Sequence, residues 1–185
     1  MNINNYLMET IEIAALLDKG DLENLFNGLK NLRSENGRLF IIGVGGSAAN
    51  ASHAVNDFRK IADIDACSPL DNVSELTARI NDDGWDSCIT NTLAVSNFSS
   101  KDAILTLSVG GGSEKTSLNL VRAMEYAKSV NGKVFGIVSR DGGMTKKLAD
   151  ACVVIPTVNP ETITPHAEEF QAVVWHMLVT LLRQK

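Results

Sequence analysis

Cysteine, aromatic residues and positive charge are all scarce in this 185-residue chain, and each scarcity closes a class of explanation. The three cysteines, Cys67, Cys88 and Cys152, are odd in number and lack a C-x-x-C spacing, so they fit reduced thiols better than a disulfide framework. Lysine and arginine total 17 against 22 acidic residues, and the net charge of −5 argues against a nucleic-acid partner or a polybasic membrane patch. No Gly-Lys-Ser/Thr occurs, which excludes a Walker-type loop. The N-terminus, Met1-Asn2-Ile3-Asn4-Asn5, has neither the basic nor the apolar region of a secretory leader. The longest largely apolar stretch, Ala172 to Leu182, contains His176 and falls well short of the ~20 residues of a membrane span. A soluble, cytoplasmic protein of ordinary composition is expected, with 44% apolar residues and a length that suits one domain.

What is present is a pair of glycine-rich loops. Arg38 to Ile42 runs into Gly43-Val44-Gly45-Gly46-Ser47, and Ala103 to Leu107 runs into Ser108-Val109-Gly110-Gly111-Gly112-Ser113. Each follows an apolar strand and opens a helix, where free N–H groups and the positive dipole end attract an anion. Neither loop carries lysine or arginine between its glycines, so backbone N–H groups and hydroxyls would do most of the holding. One such loop is as well explained by a tight turn. Two with the same Gly-Gly-Ser ending point to a phosphorylated small molecule. Gly43-x-Gly45-x-x-Ala48 alone matches a relaxed dinucleotide fingerprint, but the following strand near 64–68, with Asp63 and Asp65, is poorly formed and no nucleotide cofactor is expected.

The rest of the chain alternates helices with continuous apolar strands, the pattern of a parallel sheet covered on both faces. The expected architecture is a three-layer αβα sandwich over 36–185, preceded over 1–35 by two helices used in oligomerisation. The first helix, 4–18, carries Leu7, Ile11, Ala14, Ala15 and Leu16 on one stripe and ends at Gly20; Asp21 caps the second, with Leu22, Leu25, Leu29 and Leu32 at helical spacing. Further helices are expected at 48–62, from an Asp71 or Asn72 cap through Arg79, at 85–96, at 114–130 with Ser113 as a candidate cap, and at 164–183. Strands are expected at 103–108, 134–138 and 151–155, and Asn81-Asp82-Asp83-Gly84 reads as a turn.

Only three histidines occur. His53 and Asp57 are four apart on the helix opened by the first loop and share a face. His176 lies in an apolar run, with Glu168 and Glu169 within a quarter-turn on the helical wheel. A titratable ring among apolar side chains needs a partner or has a task.

Taken in order, Gly43 to Ala48 with His53, Asn81-Asp82-x-Gly84, Ser108 to Ser113, Ser139-Arg140-Asp141-Gly142-Gly143 and the His176 helix resemble the sugar isomerase (SIS) domain family, and in it the phosphoheptose isomerase branch, over essentially the whole chain. The resemblance implies an aldose–ketose isomerase of sedoheptulose 7-phosphate acting early in bacterial heptose biosynthesis. It also implies a homotetramer with active sites at subunit boundaries. It places Asp57 and His176 in the catalytic roles, and His53, Asp57, Glu168 and His176 where some members bind zinc. Val44, Gly45, Gly46, Ser47, Asn81, Asp82, Ser108, Val109, Gly110, Ser113 and Glu168 fall at the sugar-phosphate contacts. The chain departs from the family at Val44 (usually asparagine), Asp57 (glutamate), Glu168 (glutamine) and within Ser108 to Ser113 (Ser-Thr-Ser-Gly-Asn-Ser). A non-catalytic sugar-phosphate-binding or protein-binding regulator, and an isomerase of another sugar phosphate, stand as alternatives.

Overall fold

Five short apolar segments cannot leave either face in water, and in the computed structural model, which describes residues 2–183, they form one parallel sheet. The strands are β1 (Leu39–Ile42), β2 (Ala66–Cys67), β3 (Ala103–Leu107), β4 (Lys133–Val138) and β5 (Ala151–Val154), in the order β2-β1-β3-β4-β5. Side chains alternate between two cores. Leu39, Ile41, Leu105, Phe135 and Ile137 face α2 (Lys19–Ser34), α3 (Gly46–Lys60) and α8 (Ile163–Leu182). Phe40, Ile42, Ile104 and Val134 face α5 (Cys88–Val95) and α6 (Leu118–Ser129). The three-layer αβα sandwich is thus as the sequence predicts.

Several local expectations are corrected. Asp18, not Asp21, caps α2: its side chain accepts from the Asp21 N–H at 3.0 Å, and Gly20 lies inside the helix. The helix α4 (Val73–Asp83), capped by Asn72, runs on through Asn81-Asp82-Asp83, because a helix needs no stop until Gly84 turns to φ 88°. The helix after the second glycine loop begins at Leu118, not 114. Ser113 instead closes a turn, its Oγ accepting from the N–H groups of Lys115 at 3.2 Å and Thr116 at 3.1 Å.

The first helix, α1 (Ile3–Leu16), buries Ile13 and leaves Ile3, Leu7, Met8, Ile11 and Leu16 exposed. Polar contacts tie it to the start of α8. The buried His166 ring has Glu9 Oε2 at 3.0 Å and Glu169 Oε2 at 3.2 Å, while Tyr6 donates to Glu169 at 2.6 Å. That hydrogen bond, with burial, pushes the Tyr6 hydroxyl up to about 12.

At the opposite edge of the sheet Asp102 fastens three strand starts. It accepts from Arg38 Nη2 at 2.7 Å, Arg38 Nε at 3.0 Å and Ser99 N at 2.8 Å, and its carbonyl accepts from Lys133 N at 3.0 Å. Burial pushes its carboxyl up, but the Arg38 and Ser99 hydrogen bonds outweigh that and hold it below its ordinary value. Its contribution is therefore complete at neutral pH and lost as pH falls through the lowered value. Asp102→Ala is expected to cost about 3 kcal/mol in urea unfolding at neutral pH, since it leaves a partner unpaired, and the gap to the parent should narrow in acid.

Candidate functional site

The chain leaves β1 toward one face of the sheet and β3 toward the other, because α3 belongs to the first core and α6 to the second. Such a divergence opens a crevice at the carboxyl ends of the two strands, and both glycine loops lie there. Gly45, at φ 65°, lets the first loop turn directly into α3. In the second loop Gly111, at φ 69°, packs so closely on the Gly142 carbonyl that no Cβ fits. Thr145 then donates to Gly111 O from its N–H at 2.9 Å and its hydroxyl at 2.8 Å, tying the loop to α7 (Gly143–Leu148).

Between the loops is a cavity of about 360 Å³ lined by Val44, Ser47, Ser108, Val109, Gly110, Gly112, Ser113, Thr116 and Ser117, closed by Arg140, Asp141 and Thr164. Six of the expected sugar-phosphate residues (Val44, Ser47, Ser108, Val109, Gly110 and Ser113) are among them. Ser47 Oγ accepts from buried Gln171 at 3.0 Å, so its hydroxyl hydrogen is free to point into the cavity. Ser117, in the left-handed region at φ 54°, makes no side-chain cap, which leaves the first N–H groups of α6 open. Among the described residues, the one cation of the lining is Arg140, itself at φ 54°.

Glu168 is not among the residues lining the cavity. Its carboxylate packs against Gly46, where a Cβ would collide with it, at the N-terminus of α3. A negative charge there complements the helix dipole. Asn81 and Asp82 are exposed at the end of α4, Asn81 donating to Asp82 at 2.8 Å, and neither lines the cavity.

Further along the same two helices a second group assembles. Asp57 Oδ2 has His176 Nε2 at 3.2 Å, His53 Nε2 at 3.5 Å and the Trp175 indole N–H at 3.1 Å, while its Oδ1 accepts from Asn56 at 3.0 Å. His53, Asp57 and His176 could together hold one metal ion, their ligand atoms lying within 4.8 Å of one another; Glu168 is not part of that group among the described residues. The partner of His176 is thus Asp57 across the helix interface rather than Glu168 or Glu169, and Glu169 is engaged with His166 and Tyr6. His176 Nδ1 lies 2.8 Å from Ala172 O and must donate to it, so in the neutral ring Nε2 carries the lone pair. The thiols take no part: burial pushes Cys67 and Cys152 up to about 11.

Arg140, Asp141 and Thr164 are additional lining residues, and Trp175 and Gln171 additional supports. Arg140 was findable, as the cation two residues beyond β4 on the same sheet edge as both loops. Trp175 was not, since a tryptophan in an apolar run reads as core.

No family model matches the chain. A phosphoheptose isomerase from a Nitratiruptor species is 33% identical over 151 residues, covering 78% of this chain and 75% of that protein. The chain belongs to the phosphoheptose isomerase family. A second member, from Helicobacter pylori, is 28% identical over 93% of the chain and 85% of its own length. The structure of a phosphoheptose isomerase from Francisella tularensis superposes with a TM-score of 0.85 over 99% of this chain and 97% of that one; at 22% identity it supports the fold alone.

In this member of the phosphoheptose isomerase family the Glu168 carboxylate packs on Gly46, next in sequence to Ser47 of the cavity lining. Glu168→Gln removes a like charge while keeping the shape, and is expected to tighten inorganic phosphate binding several-fold in calorimetric titration at low salt.

Proposed function

We propose that this chain is an aldose–ketose isomerase interconverting sedoheptulose 7-phosphate and D-glycero-D-manno-heptose 7-phosphate through an enediol, in the cytoplasm, early in the bacterial heptose supply to lipopolysaccharide or capsule. The observation that carries the reading is the Asp57–His176 pair on the same two helices that border an anion cavity. Ser47 lines that cavity, and His53 follows six residues later on α3, about 9 Å along the axis at 1.5 Å per residue. Six carbon–carbon bonds of about 1.5 Å give an open seven-carbon chain a similar reach. The Ser108–Ser117 loop with Arg140 then holds the phosphate, while the carbonyl end meets the histidines.

The proton chemistry follows from the hydrogen bonds. Asp57 Oδ2 already has three nitrogen neighbours and is buried, whereas the His176 and His53 side chains are 49% and 58% exposed. His176 Nε2 therefore takes the proton from the carbon beside the carbonyl, and Asp57 stabilises the imidazolium that forms. The same nitrogen returns the proton to the neighbouring carbon of the enediol. His53, with its ring 5.3 Å from that of His176, moves the hydroxyl proton between the two adjacent oxygens.

Two imidazole nitrogens and a carboxylate oxygen are also ligand types that Zn²⁺ takes, a cation between His176 Nε2 and Asp57 being the alternative to the proton that the ring picks up in the metal-free reaction. His53, Asp57 and His176 would hold the ion, with Glu168 outside the set, and bound zinc would supply polarisation of the carbonyl. Metal-free protein is expected to take up about one Zn²⁺ per chain, and His53→Ala to weaken that uptake at least about tenfold by calorimetry.

The reading also makes the protein a homotetramer with sites at subunit boundaries. The bare apolar face of α1 supports it, and the exposed Asn81 and Asp82 are free to reach a neighbouring site. For the chemistry itself, His176→Ala should lower turnover of sedoheptulose 7-phosphate by about 10²–10⁴-fold while sugar-phosphate binding persists. Solvent deuterium should enter the substrate with the parent protein and not with the variant; unchanged turnover would refute the assignment.

A further inference from the structure

The indole of Trp175 makes its single hydrogen bond to Asp57, and that choice is informative. A tryptophan side chain has one donor and no acceptor, so a buried one commits its N–H to one partner. Trp175 is 1% exposed between α3 and α8, and Nε1 lies 3.1 Å from Asp57 Oδ2, the oxygen that faces His176. We propose that Trp175 is a positioning residue for the reaction: its indole N–H holds the Asp57 carboxylate at the rotation that presents Oδ2 to the His176 imidazole. The proposal rests on the isomerase reading of the Asp57–His176 pair.

The geometry leaves little else to do this. The terminal torsion of an aspartate is broad and roughly two-fold, so the carboxylate needs outside contacts to settle. Oδ1 has one donor, the adjacent Asn56 side chain, which is exposed. On Oδ2 the two imidazoles are the groups being served, and neither His176 Nε2 nor His53 Nε2 donates when the rings are neutral with hydrogen on Nδ1. The indole N–H is the donor present in every protonation state. The rings form a single packed unit: Trp175 lies 5.0 Å from His176 and 5.5 Å edge-on from His53, centroid to centroid. An indole fixed by the core thus passes the rigidity of the helix interface to a carboxylate and, through it, to a half-exposed imidazole.

Trp175→Phe keeps an aromatic ring and removes the donor. A carboxylate displaced by about 1 Å is expected to reduce kcat by about 10–100-fold. KM should stay within about threefold, because the phosphate cradle is untouched, and the melting temperature should change little; an unchanged kcat in folded Trp175→Phe would overturn the proposal. Should that variant fail to fold, comparison with Asp57→Ala lets the parent protein decide the matter. Its ¹⁵N-indole spectrum contains two N–H signals, from Trp85 and Trp175. The slowly exchanging one is expected to shift and to exchange at least about tenfold faster in Asp57→Ala; a signal indifferent to Asp57 would overturn the proposal equally. If the parent protein fails to turn over sedoheptulose 7-phosphate, the isomerase reading falls, whereas the indole signal reports on the hydrogen bond independently.

Discussion

The packing of α3 along α8 is the constraint on which both halves of the site depend. The two helices run side by side in register: Glu168 meets Gly46, Gln171 meets Ser47 and Asn50, Trp175 and His176 meet Asp57. Every one of these contacts joins residues more than a hundred positions apart in sequence. The apolar part of the interface, Ala51, Ala54 and Phe58 against Phe170, Val174 and Leu178, supplies the adhesion. The polar contacts set the sliding register. A shift of one turn would carry Gln171 away from Ser47 and the imidazole away from its carboxylate together, so the cavity and the Asp57–His176 pair are aligned by one interface.

Both glycine loops open helices without a side-chain cap, α3 beside the Glu168 carboxylate and α6 at Ser117, and both helix starts border the cavity. An acidic protein can hold an anion there because the favourable potential is local, made by oriented N–H groups and one arginine rather than by net charge.

Much of this was legible in the order of residues. Continuous apolar runs identify buried parallel strands, and the strand–glycine–helix junctions mark the sheet edge that binds, because both signals are local. The His53–Asp57 pair was visible for the same reason, being one helical turn apart. The partner of His176 was not, since the wheel of a single helix can rank only neighbours on that helix, and it favoured Glu168 and Glu169 over an aspartate 119 positions away. Helix limits failed where local chemistry offered two choices: Asp18 and Asp21 are both good caps, and packing selected between them. Trp175 illustrates the remaining blind spot, a side chain whose bulk is structural and whose one polar atom is not.

The stitching of Gly111 to Thr145 has a consequence for how tightly the cavity can bind. Two donors from the head of α7 grip one carbonyl of the glycine loop, Met144 N–H holds Gly112 O at 3.0 Å, and the close approach to Gly142 leaves the loop no slack. A glycine-rich segment would ordinarily surrender a great deal of chain freedom when it closes on a guest. Here that freedom was already given up when the domain folded, so whatever enters the cavity meets a finished mould.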